Sequence, residues 1–148
     1  MENNLKKDYK FENIVFENFI NLKKSDAKFV LKMRNHKNIR KYMLNRDEIS
    51  IQEHFKFIKS LENNYKKAYW LVKNLKSNTI LGVFNLIDID LNNETAYLGI
   101  YKNPYSNDKE NGTIIINNGC SIFFNCLNLH TLKLEVFSDN IHAINFYK

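Results

Sequence analysis

Glu135 lies in Thr131–Phe137, where Leu132, Leu134 and Val136 alternate. A strand with that alternation puts Glu135 on the face opposite the apolar residues, beside Lys133 and Phe137. A carboxylate there can take a proton from an amine, or it can be a solvated surface glutamate. His54 stands at the edge of an apolar face built by Ile51, Phe55 and Ile58. An imidazole titrates near neutrality, which suits base chemistry or a phosphate contact; a structural histidine is the plainer reading. Asn140, Ala143 and Tyr147 recur at i, i+3 and i+7, on one side of a helix. A phenol, with a pKa of about 10, can protonate a leaving group of similar basicity, although the same spacing serves core packing.

Gly112 and Thr113 open a helix rich in Ile and Phe. Free N–H groups and the positive end of the helix dipole suit an anion there. Gly112 lets a ligand approach the backbone and Thr113 adds a hydroxyl. Read alone, Gly112 is a loop glycine before a helix. Arg34 is a cation at a helix end, for a phosphate or for solvent. Phe57, Tyr97 and Tyr101 can stack on a ring or pack the core. Metal chemistry finds no support: Cys120 and Cys126 are six apart, and His36, His54, His130 and His142 show no ligand spacing. No metal is expected, and no GxSxG or Walker pattern occurs.

These residues need elements to position them. Phe11–Leu22 reads as a first strand, and Ser25 or Asp26 as the cap of a first helix. That helix carries Phe29, Val30 and Met33, with a break near Asn35–Asn38 before Tyr42 and Met43. Ser50 with Glu53 three residues on forms a capping-box pattern for the next helix. Tyr69–Val72, Thr79–Asp88 and Thr95–Tyr101 read as three strands joined by the turns Asn74–Asn78 and Asn92-Asn93. A helix over Gly112–Leu127, the strand Thr131–Phe137 and a last helix capped by Asp139 or Asn140 complete the order β-α-α-β-β-β-α-β-α. Tight turns make the three central strands antiparallel. The strand–helix–strand unit from Thr95 to Phe137 must pair in parallel through a right-handed crossover. The expected fold is an α/β mixed, mostly antiparallel sheet with helices on both faces.

With 148 residues, the chain is long enough for one domain with a real core, expected to span 1–148. A hydrophobic fraction of 44% and an aromatic fraction of 14% exclude a disordered chain. No apolar run reaches a membrane span and the N-terminus lacks a secretory apolar core, so a cytoplasmic protein without membrane partners is expected. The net charge is +6 and unevenly placed: residues 1–76 carry 18 Lys and Arg against 9 Asp and Glu, and residues 77–148 carry 4 against 7. A basic half favours an anionic partner. With 19 Lys to 3 Arg and 24 Asn, the composition has the bias of an AT-rich genome, and no nucleic-acid partner is expected.

The order of elements resembles the GCN5-related N-acetyltransferase superfamily. Asn140-Ile141-His142-Ala143-Ile144-Asn145-Phe146-Tyr147 is similar to its N-x-x-A-x-x-x-Y segment. Tyr97-Leu98-Gly99-Ile100-Tyr101-Lys102-Asn103-Pro104 is similar to its fourth strand and following turn. Arg34-Asn35-His36 and the segment Ile49–Ile58 resemble the acetyltransferases of pseudaminic acid biosynthesis, which acetylate the 4-amino group of a UDP-linked 4-amino-4,6-dideoxy-N-acetyl-β-L-altrosamine. The resemblance runs from about Tyr9 onward. Two features depart from it. The phosphate loop Asn107–Thr113 has Glu110 where a glycine belongs or, in the other register, Ile114 at a small-residue position. Family members also continue beyond the Tyr with further strand structure, so one or more C-terminal strands are expected to be missing.

The resemblance implies an enzyme that uses acetyl-CoA as co-substrate and a UDP-amino-sugar as acceptor, by direct amine attack, and leaves room for a homodimer. It implies cofactor contacts at Leu98 and Ile100 along the pantetheine, at Gly112 and Thr113 on the pyrophosphate, and at Asn140 and Ala143. It makes Tyr147 the acid and Glu135 the base, with His54 as the rival base placed in substrate binding. The acceptor site would gather Arg34, Met43, His54, Phe57, Asn85, Tyr97 and Tyr101. Leu44 takes a position where relatives can carry an aromatic ring. The alternatives are an N-acetyltransferase for protein N-termini, of the ribosomal-protein class, and a non-catalytic module of the same fold.

Overall fold

In the computed structural model the described residues are 2–43 and 45–134. Strands β1 (Tyr9–Phe11) and β2 (Ile14–Asn18) form an antiparallel hairpin. The expected single first strand is therefore two. Glu12 takes the left-handed conformation at φ 55° and reverses the chain there, and Phe19–Asn21 closes as a 3-10 turn held by the Asn18 side chain.

Helix α1 (Lys24–Arg34) follows. Neither Ser25 nor Asp26 caps it: Lys23 is the N-cap and makes no side-chain bond. Asp26 instead meets Lys73 Nζ at 2.5 Å, and Glu17 meets the same nitrogen at 2.7 Å. The expected break separates α1 from the short α2 (Lys37–Arg40), where His36 Nδ1 accepts the Asn38 N–H at 3.1 Å. Helix α3 (Ile51–Ser60) begins at the predicted cap: Ser50 Oγ accepts the Glu53 N–H at 3.2 Å and donates to Glu53 Oε1 at 3.0 Å.

Strands β3 (Ala68–Asn74), β4 (Thr79–Asp90) and β5 (Thr95–Lys102) run antiparallel, as the tight turns required. Helix α4 (Asn111–Ser121) crosses over to β6 (Thr131–Leu134), which pairs with β5 in parallel from Thr95↔Thr131 to Leu98↔Leu134. The sheet order is β1-β2-β3-β4-β5-β6. The helix expected over Gly112–Leu127 widens into a π turn at Ile122–Cys126, where the Leu127 N–H reaches Ile122 O at 2.9 Å. The turn keeps Ile122, Phe123 and Leu127 all in the core.

Each face of the sheet has its own core. Phe16, Trp70, Phe84 and Leu86 pack against α4 through Ile115, Ile122 and Phe123. Each such side chain contributes about 2–3 kcal/mol of burial. On the other face Leu71 and Val83 pack against Phe19 from the turn after β2, Val30 and Met33 from α1, and Leu61 just after α3. Helices thus cover both faces, as expected. Because side chains alternate along a strand, the same register that sends Leu98 to the α4 core sends Tyr97, Gly99 and Tyr101 to the α1/α3 face.

Candidate active site

The α1/α3 face carries a polar cluster within its apolar packing. Tyr69 on β3 stands opposite Asn85 on β4, and Asn85 stands opposite Gly99 on β5. The register therefore lines up a phenol, a carboxamide and a bare backbone across three strands. Phe57 from α3 meets the Tyr69 ring edge-on with ring centres 5.1 Å apart, and the Phe19 ring centre lies 5.3 Å from that of Tyr69. Burial raises the Tyr69 phenol above its ordinary value, while a hydrogen bond from Asn85 and the charge of Arg34 oppose the shift. Burial holds Tyr101 far above its ordinary value as well, with Tyr69 adding and Arg34 opposing. Both phenols are therefore neutral O–H groups at physiological pH.

Arg34, the last residue of α1, completes this cluster. Burial lowers its pKa, Tyr101 and Tyr69 counter that, and Arg40 adds to the lowering. Its Nη2 donates to Asn45 O at 2.7 Å, whereas its buried Nη1 has no acceptor. Among the predicted acceptor residues, Arg34, Phe57, Asn85 and Tyr101 are thus gathered. Tyr97 shares their face and lies beneath Lys133 Nζ at 5.5 Å from its ring centre. Met43 is half-buried in the turn after α2.

His54 is placed differently. It is only 4% exposed, and its Nε2 donates to Ala27 O at 2.8 Å. That nitrogen is used to pin α3 to α1. Tyr69 is the residue the sequence reading passed over, as one more apolar strand position. Its signal was present, because an antiparallel β3–β4 pair puts Tyr69 directly across from Asn85.

The opposite feature of the site is the N-terminus of α4. Glu110 is its N-cap and makes no side-chain capping bond. The first internal bond runs from the Ile114 N–H to Glu110 O at 3.0 Å. The N–H groups of Gly112 and Thr113 precede that bond and have no helical acceptor. Asp108 Oδ1 accepts the Glu110 N–H at 2.9 Å, so that carboxylate is turned into its own loop, and the Glu110 side chain is exposed. An uncapped first turn beside a buried glycine fits a pyrophosphate despite the acidic loop sequence. Leu98 lies within the β5–β6 pairing, and Ile100 lies beyond its described end. Glu135, Asn140, Ala143, Tyr147 and Leu44, expected above as site positions, lie outside the described residues. Among the described residues no cluster of three metal-ligating side chains occurs, and no helix is long and apolar enough to cross a membrane.

Comparison with known proteins identifies the family. Residues 20–148 match the family described as acetyltransferase (GNAT) domain. The acetyltransferase PseH of Campylobacter jejuni subsp. jejuni is 32% identical over 135 residues, covering 91% of this chain and 82% of the relative. The spermidine N(1)-acetyltransferase of Vibrio cholerae is 26% identical over 128 residues, covering 86% and 73%. The crystal structure of C. jejuni N-acetyltransferase PseH in complex with acetyl coenzyme A superimposes with a TM-score of 0.72 at 29% identity, covering 90% of this chain and 84% of that one. On a family match that takes in most of the chain and a relative above 30% identity, this chain belongs to the GNAT acetyltransferases and is an acetyl-CoA-dependent N-acetyltransferase.

Proposed function

We propose that this enzyme acetylates the 4-amino group of a UDP-linked 4-amino-4,6-dideoxy sugar, as in pseudaminic acid biosynthesis. The observation that carries the reading is the acceptor cluster itself: the Arg34 cation beside the neutral phenols of Tyr69 and Tyr101, over the Asn85 carboxamide. A sugar offers hydroxyls and an amide to such donors, and a nucleotide offers the anion. The identity to PseH supports the same acceptor class. A polyamine, the acceptor named for the Vibrio relative, would bring positive charge toward Arg34 and Arg40, which repel it.

Acetyl-CoA supplies the acetyl group as a thioester. The pyrophosphate is met by the Gly112 and Thr113 N–H groups, with Asn140 and Ala143 lining the same cofactor and Leu98 and Ile100 beside the pantetheine. The acceptor is held by Arg34, Asn85, Tyr97 and Tyr101, with Phe57, Met43 and His54 behind them. Glu135 takes a proton from the sugar ammonium, so that the amine attacks as a neutral nucleophile. A backbone N–H of β5 meets the carbonyl oxygen as its charge grows. Tyr147 gives its proton to the departing sulfur.

The test is thiol release from acetyl-CoA with three acceptors: a UDP-4-amino-4,6-dideoxy sugar, spermidine, and a peptide with a free N-terminus. The sugar is expected to exceed the others in kcat/KM by about a hundredfold or more. Spermidine or peptide turned over as well as the sugar would overturn the reading. Tyr147→Phe is expected to keep acetyl-CoA affinity and to lose about a hundredfold in kcat.

A further inference from the structure

The loop between β5 and α4 is held at two points, Asn103 and Tyr105. The Asn103 side chain is buried, and its hydrogen bonds go to two places. Its N–H donates to Leu81 O at 2.8 Å and its Nδ2 to Ile80 O at 2.9 Å, both on β4. Its Oδ1 accepts the Tyr105 N–H at 2.9 Å, and its carbonyl accepts the Ser106 N–H at 3.1 Å. The Tyr105 ring turns the other way and lies on α1. Its centre is 6.0 Å from that of Phe29 and 5.2 Å from that of His36, which meets it edge-on, and Lys32 Nζ stands 4.6 Å from it. Tyr105 Oη donates to Lys32 O at 3.4 Å. Phe29, Lys32 and His36 are spaced by three and four, so one side of α1, continued by the cap of α2, makes the seat.

Among the described residues, the hydrogen bonds of 106–110 run to Asn103, to one another and into the first turn of α4. Ser106 Oγ accepts the Asp108 N–H at 3.3 Å and Asn111 Nδ2 at 3.1 Å, and Asp108 Oδ1 accepts the Glu110 N–H at 2.9 Å. Residues 107–110 are exposed, whereas Asn111, the first residue of α4, and Gly112 are buried. A chain of contacts therefore leads from α1 through Tyr105 and Ser106 to the start of α4. Helix α1 is itself well anchored, because Ala27, Val30 and Met33 are buried and Asp26 meets Lys73. The same helix ends in Arg34, a member of the acceptor cluster. Tyr105 thus bridges the element that carries the acceptor side and the loop that leads to the cofactor side. Its side chain is 48% exposed and adds little to the core, so what it fixes is a spacing.

We propose that Tyr105 is a positioning residue for acetyl transfer: its ring, seated on α1, sets the first turn of α4 at a fixed distance from the acceptor wall. Transfer needs the thioester carbon within about 3–3.5 Å of the attacking amine, and a misplacement of about 1 Å costs about a hundredfold in rate. A cofactor gripped by its pyrophosphate inherits any shift of the turn that grips it. This inference rests on the placement of the pyrophosphate at Gly112 and Thr113 proposed above; the seat of Tyr105 on α1 does not.

The test compares the wild-type chain with Tyr105→Phe and Tyr105→Ala by acetyl-CoA titration, by trypsin cleavage after the exposed Lys109, by melting, and by kinetics with whichever of the three acceptors above turns over best. The first three readouts need no acceptor, so they stand whichever amine is acetylated. Tyr105→Phe keeps the ring on Phe29, Lys32 and His36 and loses one long hydrogen bond, so it is expected within about twofold of wild type throughout. Tyr105→Ala is expected to melt within about 3 °C of wild type and to be cut after Lys109 about tenfold faster. It is expected to bind acetyl-CoA about fivefold more weakly, and to lose about tenfold in kcat with the acceptor KM unchanged. Unaltered cleavage, or Tyr105→Phe as impaired as Tyr105→Ala, overturns the inference. A collapse in melting with a rise in acceptor KM marks a merely structural residue and overturns it as well. Thr113→Asp separates the remaining cases. If it weakens acetyl-CoA and Tyr105→Ala does not, the positioning role falls and the pyrophosphate reading stands. If neither does, the pyrophosphate reading falls and takes the inference with it.

Discussion

The Asn85 carboxamide occupies the space that a side chain at Gly99 would need: a Cβ at position 99 would stand 2.3 Å from Asn85 Oδ1. The absence of that Cβ is what lets Asn85 lie across β5 and reach Tyr69. Gly99 therefore shapes the acceptor cluster through the side chain it lacks.

Gly99→Ala follows from this contact. The displaced atom is the tip of a flexible side chain, so Asn85 swings away at little cost to folding. The expected melting temperature is close to wild type, while kcat/KM for the acceptor falls by about tenfold, equivalent to about 1.4 kcal/mol. Gly119→Ala is the contrast, because its Cβ would stand 2.4 Å from the buried Phe84 ring. Overpacking there is expected to cost about 1–3 kcal/mol of stability, read in a denaturant melt. Equal melting of the two variants would refute the distinction.

Thr113→Asp separates helix stability from cofactor binding. A carboxylate in the first turn of α4 interacts favourably with the helix dipole, by about 0.5 kcal/mol. The same charge competes with a pyrophosphate at the Gly112 and Thr113 N–H groups. Stability is expected to hold or rise slightly while acetyl-CoA affinity drops by about tenfold. Unchanged affinity would place the pyrophosphate elsewhere.

His54 gives the fold a dependence on pH. Burial lowers its pKa, only partly offset by the bond to Ala27 O. The folded protein thus binds this proton less readily than the unfolded chain, whose histidine titrates at about 6.5. The stabilisation is complete above that value and is lost as the pH falls below it. Urea midpoints at pH 7.5 and 5.5 should drop in the wild-type protein. His54→Gln should be less stable at pH 7.5, by about 1–2 kcal/mol, with a smaller drop. Parallel drops in the two proteins would remove His54 as the cause.

Lys73 ties α1 to the sheet by meeting Asp26 and Glu17 together. Lys73→Met leaves two half-buried carboxylates without their shared cation. The expected loss is about 2 kcal/mol, moderated by their partial exposure. Adding Asp26→Asn should restore part of it, since one of the two stranded charges is then gone. A double variant no more stable than the single one would show that the tie carries little.

Local features were legible from the chain itself. The Ser50–Glu53 cap, the break after Arg34 and the central strands rest on neighbours within a few residues, where periodicity, capping and turn chemistry act directly, and the parallel crossover follows from the handedness of a strand–helix–strand unit. The first hairpin was not legible, because its turn uses Glu12 in a left-handed conformation that glycine or asparagine would have announced. The caps at Ser25 and Asp26 misled for a related reason: Asp26 has a stronger use in its long-range tie to Lys73. What only the tertiary structure decided is the company each residue keeps. Strand register set Tyr69, Asn85 and Gly99 in line, α1 brought Arg34 over them, and α3 turned His54 inward to Ala27. Those meetings join residues tens of positions apart. Their energies depend on burial and on pairing across elements, and neither exists until the sheet and its helices have closed on each other.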